Sequence, residues 1–334
     1  MCIRDRRCVV ACEGETFMRI VDLFCGIGGV AEASRDLADA VCIDSRLDAL
    51  PKILPEVVAA IDIDRRIVPV YVANHRVEPL IQTIESIRQV PEADLWWLSP
   101  PCQPYTRRGK GKAEGDSRSL ALARVIELID QQRPWGIALE NVPEFSGSQQ
   151  HKVLEGKLRR AGYSVRADEL CPTQWKVPMR RKRFYLRALR DGQSIPSVPL
   201  ESPARPLSEC VDDSSWDDPS LRVPSELVTR YEQAMNVVDA DDPEAVTACF
   251  TSAYGSSPVH AGSYLRCSRR HLIRRFSPEE IGRLMGYREG FWWPGEVDAR
   301  ARYQLLGNAL SVTVVRALLV TMVTATEAQW KFEE

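Results

Sequence analysis

The chain has 334 residues, of which 44% are hydrophobic and 27% charged, and its formal net charge is −2. A chain of this length can form one large domain, or two unequal ones, around a sizeable core. Its 10 cysteines include no CxxC pair and only 4 histidines accompany them, which argues against a zinc site or a disulfide framework. We therefore expect no metal, and reduced thiols in a cytoplasmic protein.

The N-terminal segment, MCIRDRRCVVACEGETF, is not typical of a signal peptide, because Glu13 and Glu15 interrupt its apolar run. Met18 is a more natural start, since the residues after it enter a strand pattern directly. Residues 1–17 are therefore interpreted as a non-native or disordered extension. No window approaches 18 uncharged apolar residues, so we expect no membrane-spanning helix and no membrane partner.

Apolar runs that read as buried strands alternate with helical patterns over the first half of the chain. The strands are predicted at residues 18–24, 56–63, 95–99, 135–142 and 182–189. A glycine-rich turn and a helix follow the first strand, and residues 117–133 have helical spacing. This alternation indicates an α/β fold with a doubly wound, mostly parallel sheet.

Residues 190–275 break this alternation, because they are rich in Pro, Ser and Asp and contain only short β-like runs. Ser277, Pro278 and Glu280 then form an N-cap, a first-turn proline and a capping box, which predict a new helix. A long apolar helix ends the chain and needs the main sheet to pack against. The expected organisation is a main domain of residues 18–189 plus 276–334, with a smaller, irregular, β-rich domain at 190–275.

The segment DLFCGIGG, residues 22–29, follows a strand and opens a helix. Its glycines permit a tight turn and close approach of a ligand to a helix N-terminus, although a plain βα turn would look the same. Asp62 ends the next strand, where an acid can bind the ribose of a nucleoside cofactor. Asp44 is a rival for that role; the local sequence VVAAIDID favours Asp62.

Cys102 lies in SPPCQP, just past the carboxyl end of a predicted strand, where open α/β sheets bind ligands. A structural thiol is the alternative, but three flanking prolines and a polar loop favour a functional one. Nearby cations would stabilise its thiolate, the nucleophilic form, and could hold phosphates. These cations are Arg107, Arg108, Lys110 and Lys112.

Two further motifs should lie near the same edge of the sheet. Glu140 ends a strand in ALENV, where apolar neighbours could raise its pKa and make it an acid, although a solvated strand-end glutamate is equally common. Arg181 and Arg183 in MRRKRFYL share one side of a strand by period-2 spacing. A basic edge strand is the alternative reading for that pair.

In this order, the motifs DLFCGIGG, SPPCQP, ENV, RRKRFY and RYQLLGNALSV resemble those of the cytosine-C5 methyltransferase family. The resemblance covers roughly residues 18–188 and 265–320. It implies a Rossmann-like domain that binds S-adenosyl-L-methionine (SAM), and target recognition by residues 190–275. Met179 departs from the family, in which many members carry Gln before the arginines.

The resemblance also assigns roles to individual residues. It makes Cys102 the nucleophile, Glu140 the acid, and Arg181 and Arg183 the groups that bind the base. The residues expected to contact the cofactor are Phe24, Gly26, Gly28, Gly29, Asp62, Glu85, Pro101 and Asn308. Addition of the thiolate to C6 of cytosine would make C5 nucleophilic, and the base must leave its stack to reach the pocket.

The expected polynucleotide is DNA, and the alternative is the anticodon loop of a tRNA. Family size favours DNA as the substrate, whereas SPPCQPYTR, VVAAIDID and CFTSAYG look like members that methylate a tRNA anticodon loop. A catalytically inactive nucleic-acid-binding member and an unrelated oxidoreductase are the other hypotheses. The first would lack Cys102 or Glu140, and the second does not explain ENV or the paired arginines. A partner restriction endonuclease cannot be inferred.

Overall fold

The computed structural model describes residues 16–43, 53–101, 117–200, 205–267 and 272–330. Thr16 and Phe17 already pair with the neighbouring strand, so the first strand begins two residues inside the segment that the sequence assigned to an extension. The remainder of that segment and several predicted site residues lie outside the described residues. These site residues are Asp44, Cys102, Arg107, Arg108, Lys110 and Lys112.

A seven-stranded sheet forms the centre of the molecule, in the order β3-β2-β1-β4-β5-β7-β6. The strands are β1 (Thr16–Leu23), β2 (Ile53–Asp62), β3 (Leu80–Ile81), β4 (Leu95–Leu98), β5 (Gly136–Asn141), β6 (Ser164–Leu170) and β7 (Arg183–Leu189). The five strands from β3 to β5 are parallel, and β7 runs antiparallel to both β5 and β6. This confirms the predicted α/β class and the mostly parallel sheet.

Helices cover both faces of the sheet, and the sheet separates two apolar clusters. They are α1 (Gly29–Ile43), α2 (Val68–Asn74), α3 (Ser117–Gln132) and α4 (Gln149–Arg160). All four residues of β4 are buried, and its tryptophans alternate: Trp96 packs in the cluster with α3 and α4, whereas Trp97 packs in the cluster with α1. Burial on both faces explains why this strand reads as a continuous apolar run.

The region after the main sheet contains a helix, α5 (Ser225–Tyr231), and a second, three-stranded sheet in the order β10-β9-β8. Its strands are β8 (Asn236–Asp239), β9 (Ser263–Cys267) and β10 (Leu272–Arg275). Phe250 and Leu265 belong to the same buried cluster as Trp97, so the core is continuous between the two sheets. The small sheet confirms the predicted β-rich second part; the domain limits remain a prediction.

Three helices return the chain to the main sheet: α6 (Pro278–Leu284), α7 (Ala299–Asn308) and α8 (Val312–Trp330). The capping box before α6 is present, with Glu280 N donating to Ser277 Oγ at 3.1 Å and Ser277 N donating to the Glu280 carboxylate at 2.8 Å. Helix α8 packs on α1 and β2. The predicted closing helix therefore lies on the sheet as expected.

One stretch of the described chain, Ala299–Thr326, is long and apolar enough to cross a membrane by length and composition alone. An 18-residue window within it has a mean hydropathy of 1.8, and 78% of that window is buried within the fold. Such burial is what a helix packed on a core sheet shows.

Candidate active site

The turn after β1 is bent so that its backbone amides face the end of β2. Phe24 N and Cys25 N both donate to Ile61 O, at 2.8 and 3.1 Å. Phe24 itself has φ +65, in the left-handed region that non-glycine residues seldom adopt. Such a residue marks a backbone held in place by its surroundings.

Two glycines in this turn have different reasons for being there. Gly26 has φ +52, and a Cβ added to it would contact nothing within 4 Å, so the space above it is open. Gly28 has φ +85, and a Cβ there would lie 2.3 Å from His75 Nε2. His75 Nε2 donates to Ile27 O at 3.1 Å, so the imidazole fills the space below the turn.

Asp62 lies at the end of β2 and contacts the glycine-rich turn directly. Its Oδ2 accepts a hydrogen bond from Gly26 N at 2.9 Å, and its Oδ1 accepts one from Asp64 N at 2.9 Å. A carboxylate can accept further bonds from a ligand diol. Ile63, which follows it, is 66% exposed, so an apolar side chain faces solvent beside the acid. The sequence prediction did not include Ile63.

Four buried polar groups near the turn have no hydrogen-bond partner within the described residues. They are the Asp22 carboxylate, the Tyr71 and Tyr287 hydroxyls and Ser311 Oγ. Burial, and then the charge of Asp62, raise the pKa of Asp22 well above its ordinary value. Unpartnered buried groups are rare and call for an explanation. Asp22 was missed by the sequence prediction, although an acid inside a buried run was the available signal.

These groups converge because the turn between α7 and α8 packs against the glycine-rich turn. A Cβ added to Gly29 would lie 2.9 Å from Leu310 Cβ and 3.3 Å from Tyr287 Oη. Ser311 follows Leu310 directly, and Asn308, at the end of α7, is exposed. The two turns thus enclose a cradle lined by polar atoms from β1 and from the far end of the chain.

The segment that leads to Cys102 is anchored at Ser99 and Pro100 by neighbouring strands. Ser99 N donates to Leu23 O at 3.1 Å, and Asn141 Nδ2 donates to Pro100 O at 3.2 Å. Asn141 is 2% exposed, and its own Oδ1 accepts from Val142 N. The asparagine of the ENV motif therefore fixes the start of this loop, while Pro101 is exposed. Asn141 was not among the predicted site residues.

Glu140 and Arg183 face each other at the carboxyl end of β5. Because β7 runs antiparallel to β5, its first residue lies at this edge, and Arg183 Nε is 3.3 Å from Glu140 Oε1. Both side chains are largely buried, at 12% and 17% exposure. Burial raises the pKa of Glu140 even though Arg183 and Arg181 oppose the rise. A carboxyl with a raised pKa can hold a proton and donate it.

Arg181 and Arg183 do not share one strand, since Arg181 precedes β7. Arg181 is 3% exposed and its guanidinium donates to main-chain carbonyls of two distant segments. The acceptors are Phe250 O at 3.1 Å, Gly307 O at 3.1 Å and Ala309 O at 2.6 Å. The guanidinium therefore ties the start of β7 to the turn between α7 and α8. The prediction that both arginines lie on the strand was wrong, because only Arg183 belongs to it, but the two guanidinium groups do reach the same place, since both contact Cys249 Sγ.

Cys249 lies between the two arginines and was not predicted as a site residue. Arg181 Nη1 and Arg183 Nη2 lie 3.5 and 3.7 Å from its sulfur. Burial raises the pKa of this thiol, but the two guanidinium groups outweigh burial, and the pKa lies below its ordinary value. The sequence offers a signal in CFTSAYG, but the motif by itself predicts only a substrate class.

Glu85 is exposed in a short turn, Ile84–Ser86, that follows β3.

No group of three His, Cys, Asp or Glu side chains that could hold a metal ion occurs in the described part of the chain.

The strand order reverses at β1, since β2 and β3 lie on one side of it and β4 and β5 on the other, and the glycine-rich turn with Asp62 lies beside that point. Doubly wound folds bind nucleoside cofactors at such a switch point, and this arrangement is typical of SAM-dependent methyltransferases. The chain belongs to the C-5 cytosine-specific DNA methylase family, whose sequence profile matches residues 18–324. It is a cytosine-C5 methyltransferase with a nucleic-acid substrate, and its methyl donor is SAM.

Individual relatives and solved structures match most of the chain. A tRNA (cytosine(38)-C(5))-methyltransferase of Schizosaccharomyces pombe is 27% identical over 333 residues, covering 90% of this chain and 96% of that protein. Type II methyltransferase M.NlaX of Neisseria lactamica is 25% identical over 327 residues, which cover 93% of this chain and 97% of that protein. The solved structure of the Entamoeba histolytica methyltransferase EhMeth superposes with a TM-score of 0.78 at 22% identity, over 91% of this chain and 97% of that one. This likeness supports the fold.

Proposed function

We propose that this chain methylates C5 of a cytosine in the anticodon loop of tRNA. The observation that carries the proposal is the position of CFTSAYG: Cys249 contacts both arginines of the site, and Phe250 accepts a hydrogen bond from Arg181. This segment resembles the tRNA-methylating subgroup, and relatives named as tRNA (cytosine(38)-C(5))-methyltransferases cover 90% of the chain. Sequence reasoning favoured DNA; these relatives support the tRNA alternative better.

In this proposal the thiolate of Cys102 adds to C6 of the cytosine ring. Glu140 protonates or hydrogen-bonds N3 as the thiolate adds, because burial keeps its proton available, and it thereby withdraws charge from the ring. Arg183, 3.3 Å from Glu140, binds the O2 side of the base and stabilises the developing charge. C5 then becomes the nucleophile, a base removes its proton after methylation, and the thiolate leaves.

The residues around the glycine-rich turn fit the methyl donor, because four buried polar groups there have no partner within the described residues. Asp62 would bind the ribose diol, and the exposed Ile63 and the half-buried Phe24 offer apolar contact for an adenine ring. Asp22 and Ser311 are positioned for the amino-acid end. SAM supplies the methyl group.

Arg181 joins the turn between α7 and α8, beside the cofactor cradle, to the CFTSAYG segment beside Glu140 and Arg183. In this proposal it does not touch the base. Its guanidinium binds the carbonyl groups of Gly307 and Ala309 on one side and of Phe250 on the other. We assign it a positioning role, and keep the catalytic roles for Cys102, Glu140 and Arg183.

DNA is the second candidate substrate, because the family whose profile matches residues 18–324 is described as C-5 cytosine-specific DNA methylase. In either polynucleotide the target base must leave its stack, and a loop requires less unstacking than a duplex. The basic residues after Cys102 would bind the flanking phosphates.

The test is transfer of labelled methyl groups from SAM to bulk tRNA and, separately, to duplex DNA. Labelling of tRNA at a cytosine of the anticodon loop, lost in Cys102→Ser, is the expected result. Labelling of duplex DNA with no labelling of tRNA would contradict the proposal. Covalent trapping by 5-fluorocytosine placed in the methylated polynucleotide checks the nucleophile, since an adduct must form if Cys102 adds to C6.

A further inference from the structure

A separate cavity of about 770 Å³ lies between α1, α2 and the beginning of β2. Its volume falls within the range of small-molecule sites, roughly 300–1,000 Å³. One face of α1 forms a wall through Ala31, Ser34, Arg35 and Ala38, which are spaced by helical turns. The opposite walls are mostly apolar and include Val57.

This cavity is distinct from the pocket for the cytosine. Glu140 and Arg183 belong to β5 and β7, and β1 and β4 separate β5 from β2 in the strand order. Neither Asp62 nor the glycines of the turn line the cavity; Tyr71 is shared with the cofactor cradle. Its back wall is His75, which supports the glycine-rich turn through Ile27 O.

Three arginines line the cavity, and two of them have no carboxylate partner within ion-pair distance in the described part of the chain. Arg288 is paired with the buried Glu32. Arg35 donates to Asn74 O at 2.6 Å, a neutral acceptor, and Arg76 is exposed at the rim. Burial lowers the pKa of Arg35, and the charge of Arg288 lowers it further, against the pull of Glu32 and Asp39.

Acidic groups also line this space, so the charge is uneven rather than uniformly positive. Asp39 is one helical turn beyond Arg35, and Glu56 is on β2. Neither forms an ion pair with Arg35 or Arg76 among the described residues. The guanidinium donors of Arg35 and Arg76 are therefore the groups that a ligand can engage, beside an apolar wall.

We propose that this cavity binds a small organic anion, with its charged group on Arg35 and Arg76 and a flat apolar body along α1. A guanidinium pairs with a carboxylate, phosphate or sulfonate through its fork of N–H donors. The apolar lining accounts for the rest of the ligand. Because His75 lines the cavity and also binds Ile27 O in the glycine-rich turn, an anion in the cavity lies next to a residue that holds this turn in place.

The test uses 8-anilinonaphthalene-1-sulfonate, an aromatic sulfonate whose fluorescence rises in apolar sites, added to the full chain saturated with S-adenosylhomocysteine. Saturation fills the cofactor cradle, so that remaining binding reports on another site. We expect saturable binding at one site. Arg76→Glu should weaken it about tenfold, because loss of one charged hydrogen bond corresponds to roughly that factor. Ala38→Phe should weaken it by filling the cavity.

Arg160→Glu is the matched control, since Arg160 is an exposed arginine at the end of α4, which packs on the other face of the sheet. It should leave the affinity unchanged. Unchanged affinity in Arg76→Glu, or complete loss of the signal on saturation with S-adenosylhomocysteine, would overturn the proposal. If Ala38→Phe does not fold, Arg76→Glu still decides, because its side chain is on the surface and a thermal melt verifies its fold.

Discussion

The base side and the cofactor side of the active site satisfy their polar groups in opposite ways. On the base side, Arg183 contacts both Glu140 and Cys249, so these polar groups find partners within the chain. On the cofactor side, Asp22 and Tyr287 are buried without a partner among the described residues. Unpartnered burial destabilises a fold, whereas paired groups are preorganised. Changes on the base side should therefore reduce turnover, and changes on the cofactor side should alter binding and stability.

The largest effect is expected from Glu140→Gln. Glutamine keeps the shape but cannot donate a proton to N3, and loss of acid catalysis lowers rates by roughly 10²–10⁴. Single-turnover methylation should fall by this factor while the Kd for SAM stays the same. Glu155→Gln on the surface of α4 is the control and should retain full activity. If Glu140→Gln weakens SAM binding as much as it slows methylation, the claim that base-side changes affect turnover alone is wrong.

Gly28→Ala should combine weaker cofactor binding with lower stability. The new Cβ would lie 2.3 Å from His75 Nε2 at a φ of +85, and we expect a loss of about 2–4 kcal/mol in the free energy of unfolding. Gly147→Ala has a similar φ of +73 with nothing within 4 Å, so it reports backbone strain alone, about 1–2 kcal/mol. If a denaturant titration gives Gly28→Ala and Gly147→Ala equal losses in the free energy of unfolding, the contact with His75 contributes nothing to the loss and the prediction is wrong.

Arg181→Lys should affect both sides at once, because its guanidinium joins them. Lysine cannot bind the carbonyls of Gly307, Ala309 and Phe250 together. We expect the KM for SAM to rise and kcat to fall, each by about tenfold, from the loss of roughly one charged hydrogen bond per side. Arg183→Lys is the comparison and should lower kcat alone. A change in kcat alone for Arg181→Lys would place it with the catalytic residues.

The smallest expected effect is a gain of stability in Asp22→Asn. Burial raises the pKa of Asp22, so ionisation destabilises the fold, and wild-type stability should decline as pH rises through the folded pKa. The asparagine variant lacks this decline and should melt a few degrees higher at neutral pH, about 1–2 kcal/mol, while binding SAM more weakly. Thermal melts across pH and calorimetric titration measure both quantities. A lower melting temperature at neutral pH would contradict the prediction.

The buried strands of the main sheet could be predicted because they carry continuous apolar runs. Five were expected, and β1, β2, β4, β5 and β7 occupy those positions within a few residues. β6, with the sequence SVRADEL, is an edge strand whose exposed face carries charges, so it lacks an apolar run. The antiparallel direction of β7 could not be predicted from the sequence either, because side chains alternate with period 2 in parallel and antiparallel strands alike.

The site was predictable where one motif supplies both a residue and its place. Glu140 and Asp62 are at strand ends in the sequence and at the sheet edge in the fold. Arg181 was not predictable in this way, since its acceptors come from segments about 70 and 130 positions away that only tertiary packing brings together. Cys249 shows the same difficulty: its lowered pKa comes from arginines distant in the chain.

Gly307 has a consequence for any attempt to exchange recognition regions between relatives. A Cβ there would lie 2.0 Å from Ser252 N and 2.2 Å from the carbonyl carbon of Thr251, so two main chains touch with no side chain between them. Main-chain atoms cannot rotate away as side chains do. A transplanted region must therefore arrive with both surfaces of this contact, so the second sheet and the turn before α8 form a single exchangeable module.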